Sequence, residues 1–182
     1  MATSPCIDKL NSLVQYLDNL TERATVGELQ EQLTGLDVNI KDVSDHIRFG
    51  DKSYLRNLVR EGPWYHLLVI CWRSGQRSPI HNHAGSTCGL RILGGVATET
   101  RFETTPSELI KAVNSIDMSV DEMAVMQDSE IHQVSNLQAE GKDLVTLHIY
   151  SPPLLRMDTY SLTDKAIGEF IPVFYESAGS GI

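Results

Sequence analysis

Basic residues are scarce in this chain: 15 lysines and arginines face 24 aspartates and glutamates, a formal charge of −9 over 182 residues. No basic run occurs. This balance argues against a phosphate-tracking nucleic-acid surface and gives an anionic membrane little to attract. No apolar stretch reaches the length of a membrane span, and Met1-Ala2-Thr3-Ser4-Pro5 has neither the basic start nor the continuous apolar segment of a secretory signal. Cysteine is limited to Cys6, Cys71 and Cys88, an odd number at unrelated spacings. That pattern opposes a disulfide framework and favours thiols in a reducing compartment, so the cytoplasm is the expected location. Repeats, linkers and low-complexity segments are also missing. With 41% hydrophobic and 21% charged residues, what remains is ordinary globular composition, sized for one domain over residues 1–182.

Two periodicities divide that domain. Ile7, Leu10, Leu13, Val14, Leu17 and Leu20 follow the three-and-four spacing of one amphipathic helix face. Thr25-Val26-Gly27-Glu28 has the form of a capping box for a second helix, and Gly35 supplies its stop. Ile40, Val43 and Ile47, closed by Gly50, predict a third. After Gly50 the period changes to two, with turn residues about every ten positions, as in an antiparallel sandwich or barrel. Strands are expected at Tyr54 to Val59, Trp64 to Trp72, Cys88 to Leu93, Val96 to Phe102 after a Gly94-Gly95 turn, Met123 to Met126 and Leu144 to Tyr150. The apolar stretch Phe170 to Phe174 is expected to add a closing strand. The fold class is mainly β, a small barrel behind a helical front of residues 1–50.

The chemistry concentrates in His81-Asn82-His83 and in His132-x-x-x-Asn136. Residues at i and i+2 of an extended segment share a face, so the two imidazoles of the triplet can converge on one ion while Asn82 points away. The context is Gly75, five residues, His81-x-His83, four residues, Cys88, six residues, Gly95. That spacing resembles the first signature of the cupins, which implies a cupin-type jelly-roll barrel. Most metal cupins carry a glutamate ligand where this chain has Cys88. Three neutral imidazoles, His81, His83 and His132, suit a borderline divalent metal such as Fe, Zn, Ni or Cu. Without a carboxylate in the Cys88 position, such a site keeps adjacent positions open and the full double charge of the ion. It therefore favours an anionic, chelating substrate such as a thiolate with a neighbouring amine, with room left for dioxygen.

Further stretches narrow the resemblance. Tyr54-Leu55-Arg56-Asn57-Leu58-Val59, Ile70-Cys71-Trp72, His132-Gln133-Val134 and Leu147-His148-Ile149-Tyr150-Ser151-Pro152-Pro153, in this order with the histidine triplet and Cys88, resemble the cysteine dioxygenases. The resemblance implies an Fe(2+) thiol dioxygenase that converts L-cysteine and O2 to cysteine sulfinate. It implies His81, His83 and His132 as metal ligands and Arg56 as the guanidinium that pairs with the substrate carboxylate, with Tyr54 on the same strand face. It further implies a thioether crosslink between Cys88 and Tyr150, and a catalytic role for the Tyr150 phenol, oriented by His148 and Thr146. A related dioxygenase for 3-mercaptopropionate is the nearest alternative, although members of that type tend to carry glutamine at the Arg56 position. A non-catalytic metal- or ligand-binding cupin is the alternative of a different class. A monomer is expected. His46 and His66 read as ordinary strand or core histidines, and Cys71 as plain core.

Overall fold

A computed structural model describes the backbone of residues 5–176 and the side chains of residues 9–176. Residues 1–4 and the side chains of Cys6 and Ile7 lie outside that range. Helix α1 spans Pro5–Asp18 and α2 spans Val26–Thr34. The expected capping box opens α2: the Glu28 amide donates to Thr25 Oγ1 at 3.2 Å, and the Thr25 amide donates to Glu28 Oε2 at 2.7 Å. The third helix is a short 3-10 helix, Ile40–His46, and Val43 is its buried residue. Ile47 and Gly50 fall after its end.

Among the described residues ten strands follow: β1 Leu55–Gly62, β2 Tyr65–Trp72, β3 Thr87–Gly94, β4 Ala97–Thr104, β5 Ile110–Met118, β6 Met123–Met126, β7 Ile131–Ser135, β8 Leu144–Ser151, β9 Met157–Tyr160 and β10 Ile167–Phe170. One sheet has the order β1-β2-β8-β3-β6 and another the order β5-β4-β7, with a β9-β10 hairpin beside them. Isolated pairings of His81 with His132 and with Thr159 tie the segment before β3 between β7 and β9. Every pairing among the named strands is antiparallel. Two facing sheets of this kind make the mainly β, cupin-type barrel expected from the sequence, with the helices on one outer face.

The two middle strands of the first sheet explain why their sequences read as near-continuous apolar runs. Every residue of β2 and of β8 is buried. Tyr65, Leu67, Val69 and Cys71 of β2 join Val145, Leu147 and Ile149 of β8 in a core shared with Leu13, Leu29 and Leu33 of the helices. The alternate residues Leu68, Ile70 and Trp72 face the barrel interior with Cys88, Leu90, Val134 and Tyr150. Helix α2 sits so close that a Cβ at Gly89 would lie 2.9 Å from Leu33 Cδ1. At the β3-β4 turn Gly95 has φ +82°, and a Cβ there would come within 2.4 Å of the Asp143 carbonyl, so only glycine fits.

The structure departs from the sequence expectation in three places. Strand β5 is exposed along all but its two ends, so it lacks the half-buried alternation that marks a strand. Strands β7 and β9, five and four residues long and partly polar, carry too short a pattern to be read as strands. The closing strand lies at Ile167–Phe170 rather than Phe170 to Phe174. After it the chain runs extended, and Tyr175 pairs with Asn57 of β1. Among the described residues no helix is long and apolar enough to cross a membrane.

Candidate active site

The histidines of both motifs meet inside the barrel. His81 and His132 are direct backbone partners, each amide donating to the other's carbonyl at 2.9 Å, so their side chains leave the sheet on one face. His83 follows two residues later, just before a turn in which Ala84 has φ 43° and Gly85 φ 95°. The three rings pack with centroids 5.3, 4.7 and 4.8 Å apart, and their ligand-capable nitrogens lie within 4.8 Å of one another. Nε2 of His132 is 3.1 Å from Nε2 of His83. Asn82 points the other way, donating to Asp158 Oδ2 and to the Tyr160 phenol at 3.1 Å each.

Partners behind the rings decide which nitrogens face inward. The Pro79 carbonyl accepts from Nδ1 of His81 at 2.9 Å, and Glu99 Oε1 accepts from Nδ1 of His132 at 3.0 Å. Both rings are therefore held in the tautomer that leaves Nε2 free as a ligand. Glu99, on β4, is fully buried. Burial alone would raise its pKa, but the hydrogen bond from His132, together with Arg101, outweighs that and holds the carboxyl below its ordinary range. Sequence reasoning missed Glu99. The one signal was a charged residue at an inward position of an otherwise ordinary strand, and its use depends on the β4-β7 pairing.

A hydrogen-bonded row runs from the barrel interior to the metal-capable cluster. Trp72 Nε1 donates to Thr146 Oγ1 at 3.1 Å, Thr146 Oγ1 lies 2.9 Å from His148 Nε2, and His148 Nδ1 lies 3.2 Å from the Tyr150 hydroxyl. Thr146, His148 and Tyr150 alternate along β8, so the pleat turns all three inward. Arg56 Nη2 completes the row by donating to the Tyr150 oxygen at 2.9 Å. Tyr54 stacks on Trp72 with ring centroids 4.2 Å apart. Cys88 is the direct cross-strand partner of Tyr150 in the β3-β8 ladder, which puts thiol and phenol on the same face. Burial pushes both the Cys88 thiol and the Tyr150 phenol well up, against the opposing pull of Arg56, so both are neutral in the resting protein.

Arg56 itself is buried at 4% exposure, and its Nε and Nη1 have no hydrogen-bond partner. No carboxylate pairs with it among the described residues. A buried guanidinium normally has one, because an uncompensated buried charge costs several kcal/mol, roughly. Tyr54, Arg56, Trp72, His81, His132 and Tyr150 line one narrow, tightly filled cavity. The sequence-predicted residues are thus gathered in one place, whereas Cys71 lies on the opposite face of β2, its thiol pushed up to about 11 by burial. His46 lies outside this cavity. His66 is buried near its rim, with Glu61 Oε2 at 3.5 Å.

The fold and cluster define a class: a cupin-type barrel enclosing a three-histidine site able to hold a metal ion. The particular family follows from comparison with known proteins. The model of the cysteine dioxygenase type I family matches residues 3–163, and the chain belongs to this family of dioxygenase enzymes. Cysteine dioxygenase type 1 of Bos taurus is 32% identical over 166 residues, covering 87% of this chain and 80% of that protein. The Danio rerio protein of that name is 31% identical over 160 residues, covering 84% and 79%. In fold alone, a crystal structure from Thermus thermophilus is similar at TM-score 0.52 and 18% identity, over 64% of this chain and 99% of that one. One from Bacillus halodurans is similar at 0.51 and 17%, over 65% and 82%.

The buried histidines make a pH prediction. Burial first, then neighbouring positive groups, hold His81, His83 and His148 well below the ordinary histidine pKa. The unfolded chain takes up a proton on each near pH ~6.5 and the folded chain does not, so the unfolded state binds more protons below that pH. Stability of the metal-free protein should accordingly fall as pH drops from about 6.5, by up to about 1.4 kcal/mol per pH unit for each of these histidines. Urea unfolding across this range measures it; a flat profile would contradict neutral burial of the rings.

Proposed function

We propose that this protein is an Fe(2+)-dependent thiol dioxygenase that oxidises L-cysteine with O2 to cysteine sulfinate. The observation that carries the reading is the buried Arg56 guanidinium, without an anionic partner among the described residues, in the same narrow cavity as His81, His132 and the Tyr150 phenol, with His83 completing the histidine cluster beside it. A substrate carboxylate would supply the missing anion, and a planar guanidinium suits it because two parallel hydrogen bonds can form.

The donor set fits iron. His81, His83 and His132 offer neutral nitrogens, the Pro79 carbonyl and Glu99 hold two of the rings in the ligating tautomer, and Cys88 leaves the usual carboxylate position free. Bound there, ferrous iron would supply the redox chemistry that joins both atoms of O2 to a thiolate sulfur. Arg56 orients the substrate through its carboxylate, and Tyr54 packs beside that end. The Tyr150 hydroxyl is a hydrogen-bond donor or acceptor at the reacting end, set by Arg56 on one side and by the His148–Thr146–Trp72 row on the other. His148 is neutral, so it donates at one nitrogen and accepts at the other, and the Thr146 hydroxyl decides which. The reading includes a thioether between Cys88 Sγ and a Tyr150 ring carbon, supported by their direct pairing across β3 and β8. Its formation removes one hydrogen from each partner, and the two electrons pass to dioxygen. The same reading takes residues 1–182 as one domain, because helices and first sheet share one core. It places the chain in the cytoplasm as a monomer, where its buried free thiols at Cys71 and Cys88 suit a reducing compartment.

Three measurements test this. Glu99→Gln should weaken Fe(2+) binding about 10–100-fold in chelator competition; unchanged affinity would mean the carboxylate does not support His132. The iron-loaded protein should consume O2 with L-cysteine faster than with 3-mercaptopropionate and yield the sulfinate by mass spectrometry. The reverse preference would keep the reaction class and change the substrate, while no uptake with either thiol would support a non-catalytic binding cupin. After turnover the intact mass should fall by the mass of two hydrogens, and Cys88→Ser should abolish that loss; full retention in the wild type would remove the crosslink.

A further inference from the structure

The chain beyond residue 163, where the family match ends, returns to the cavity mouth. After β10 it runs extended along the free edge of β1. The Tyr175 amide donates to the Arg56 carbonyl at 2.9 Å, the Leu58 amide donates to the Tyr175 carbonyl at 2.9 Å, and Arg48 Nη1 donates to the Glu176 carbonyl at 2.6 Å. These bonds hold the segment on both sides of Arg56. Its side chains alternate: Ile171 and Val173 are exposed, Pro172 is buried, and Phe174 turns inward. The Phe174 ring meets His66 edge-on with centroids 4.8 Å apart, and Arg56 Cζ lies 5.7 Å from its centroid. Across the guanidinium, Arg56 Cζ is 5.3 Å from the Tyr150 centroid.

Arg56 is thus held between two aromatic rings, one from the catalytic strand and one from the terminal segment. Such rings attract a cation through their faces and exclude water from it, while leaving the N–H edges free for an anion. With water excluded, an N–H group that finds no acceptor is costly, so a ligand without a carboxylate is penalised as well as less attracted. We propose that residues 171–176 form a strap that closes over Arg56, and that Phe174 is a positioning residue that makes this guanidinium selective for thiols carrying a carboxylate. The inference rests on the thiol dioxygenase reading and adds the element that sets its substrate class.

The test uses the full-length, iron-loaded protein with L-cysteine and with cysteamine, which keeps the thiol and amine but lacks the carboxylate. Phe174→Ala removes the ring, and Tyr175→Pro removes the amide that anchors the strap to Arg56. Thermal melting and iron content report whether each variant is intact. Anaerobic binding titrations and steady-state oxygen uptake are then compared. Loss of one aromatic face from the cation should raise Kd and KM for L-cysteine about tenfold, leave kcat within about twofold, and leave cysteamine binding unchanged within about twofold. An equal loss for both thiols, a fall in kcat alone, or no change in either variant would overturn the strap while the wild-type preference for L-cysteine stands. If Phe174→Ala fails to fold, Tyr175→Pro alone decides between these outcomes. A wild type that neither binds nor oxidises either thiol would instead overturn the dioxygenase reading on which the strap rests.

Discussion

The register of β8 between β2 and β3 is the constraint on which the rest depends. In it Tyr150 lies opposite His66 on one side and Cys88 on the other, and His148 lies between Leu68 and Leu90. Because side chains alternate with a period of two, a slip of one residue would send Thr146, His148 and Tyr150 into the helix-side core and bring Val145, Leu147 and Ile149 into the cavity. Both faces of β8 are buried, so such a slip would bury polar groups without partners and is strongly disfavoured. The hydrophobic core shared with α1 and α2 therefore also positions the polar row on the opposite face. Packing on one side of the sheet specifies chemistry on the other.

That polar face is costly to build, and its features show how the cost is met. Most buried groups are paired within the row from Trp72 to Arg56, and Glu99 is satisfied by His132 and Arg101. Among the described residues, two features of this face call for a ligand. The imidazoles gather ligand-capable nitrogens around one point, with the His132 and His83 Nε2 atoms 3.1 Å apart, and Arg56 keeps buried N–H groups unpaired. Imidazole nitrogens gathered in this way suit a cation, and an unpaired guanidinium suits an anion. Both demands arise side by side in one narrow cavity, and a metal ion together with a carboxylate-bearing ligand would meet them.

Much of this was legible in the residues. The His81-x-His83 triplet, the inward alternation of Thr146, His148 and Tyr150, and the capping box at Thr25 are local patterns, and each stands in the structure as the sequence predicts. The third helical segment was legible as helical but not as 3-10, because a seven-residue piece carries too few turns to distinguish the two. Strand β5 was not legible at all, since its solvent-facing residues carry no alternation. Glu99 was hidden for a different reason: a glutamate in a strand is ordinarily a solvated residue, and only pairing with β7 brings it against His132. Phe174 was visible as an apolar residue near the end of the chain, but not as a cover for a residue about 120 positions earlier.

Taken alone, the sequence determined the class of fold, the helical front and the metal-capable histidine triplet, because these depend on residue type and short-range spacing, whereas Arg56, Cys88 and Tyr150 were singled out by the resemblance to the cysteine dioxygenases. The tertiary structure decided which buried groups lack a partner, that Glu99 stands behind His132, and that the terminal segment lies over Arg56. These are properties of strands brought together from distant parts of the chain. A guanidinium is left unpaired, and a carboxylate finds an imidazole, only after the two sheets have closed around them.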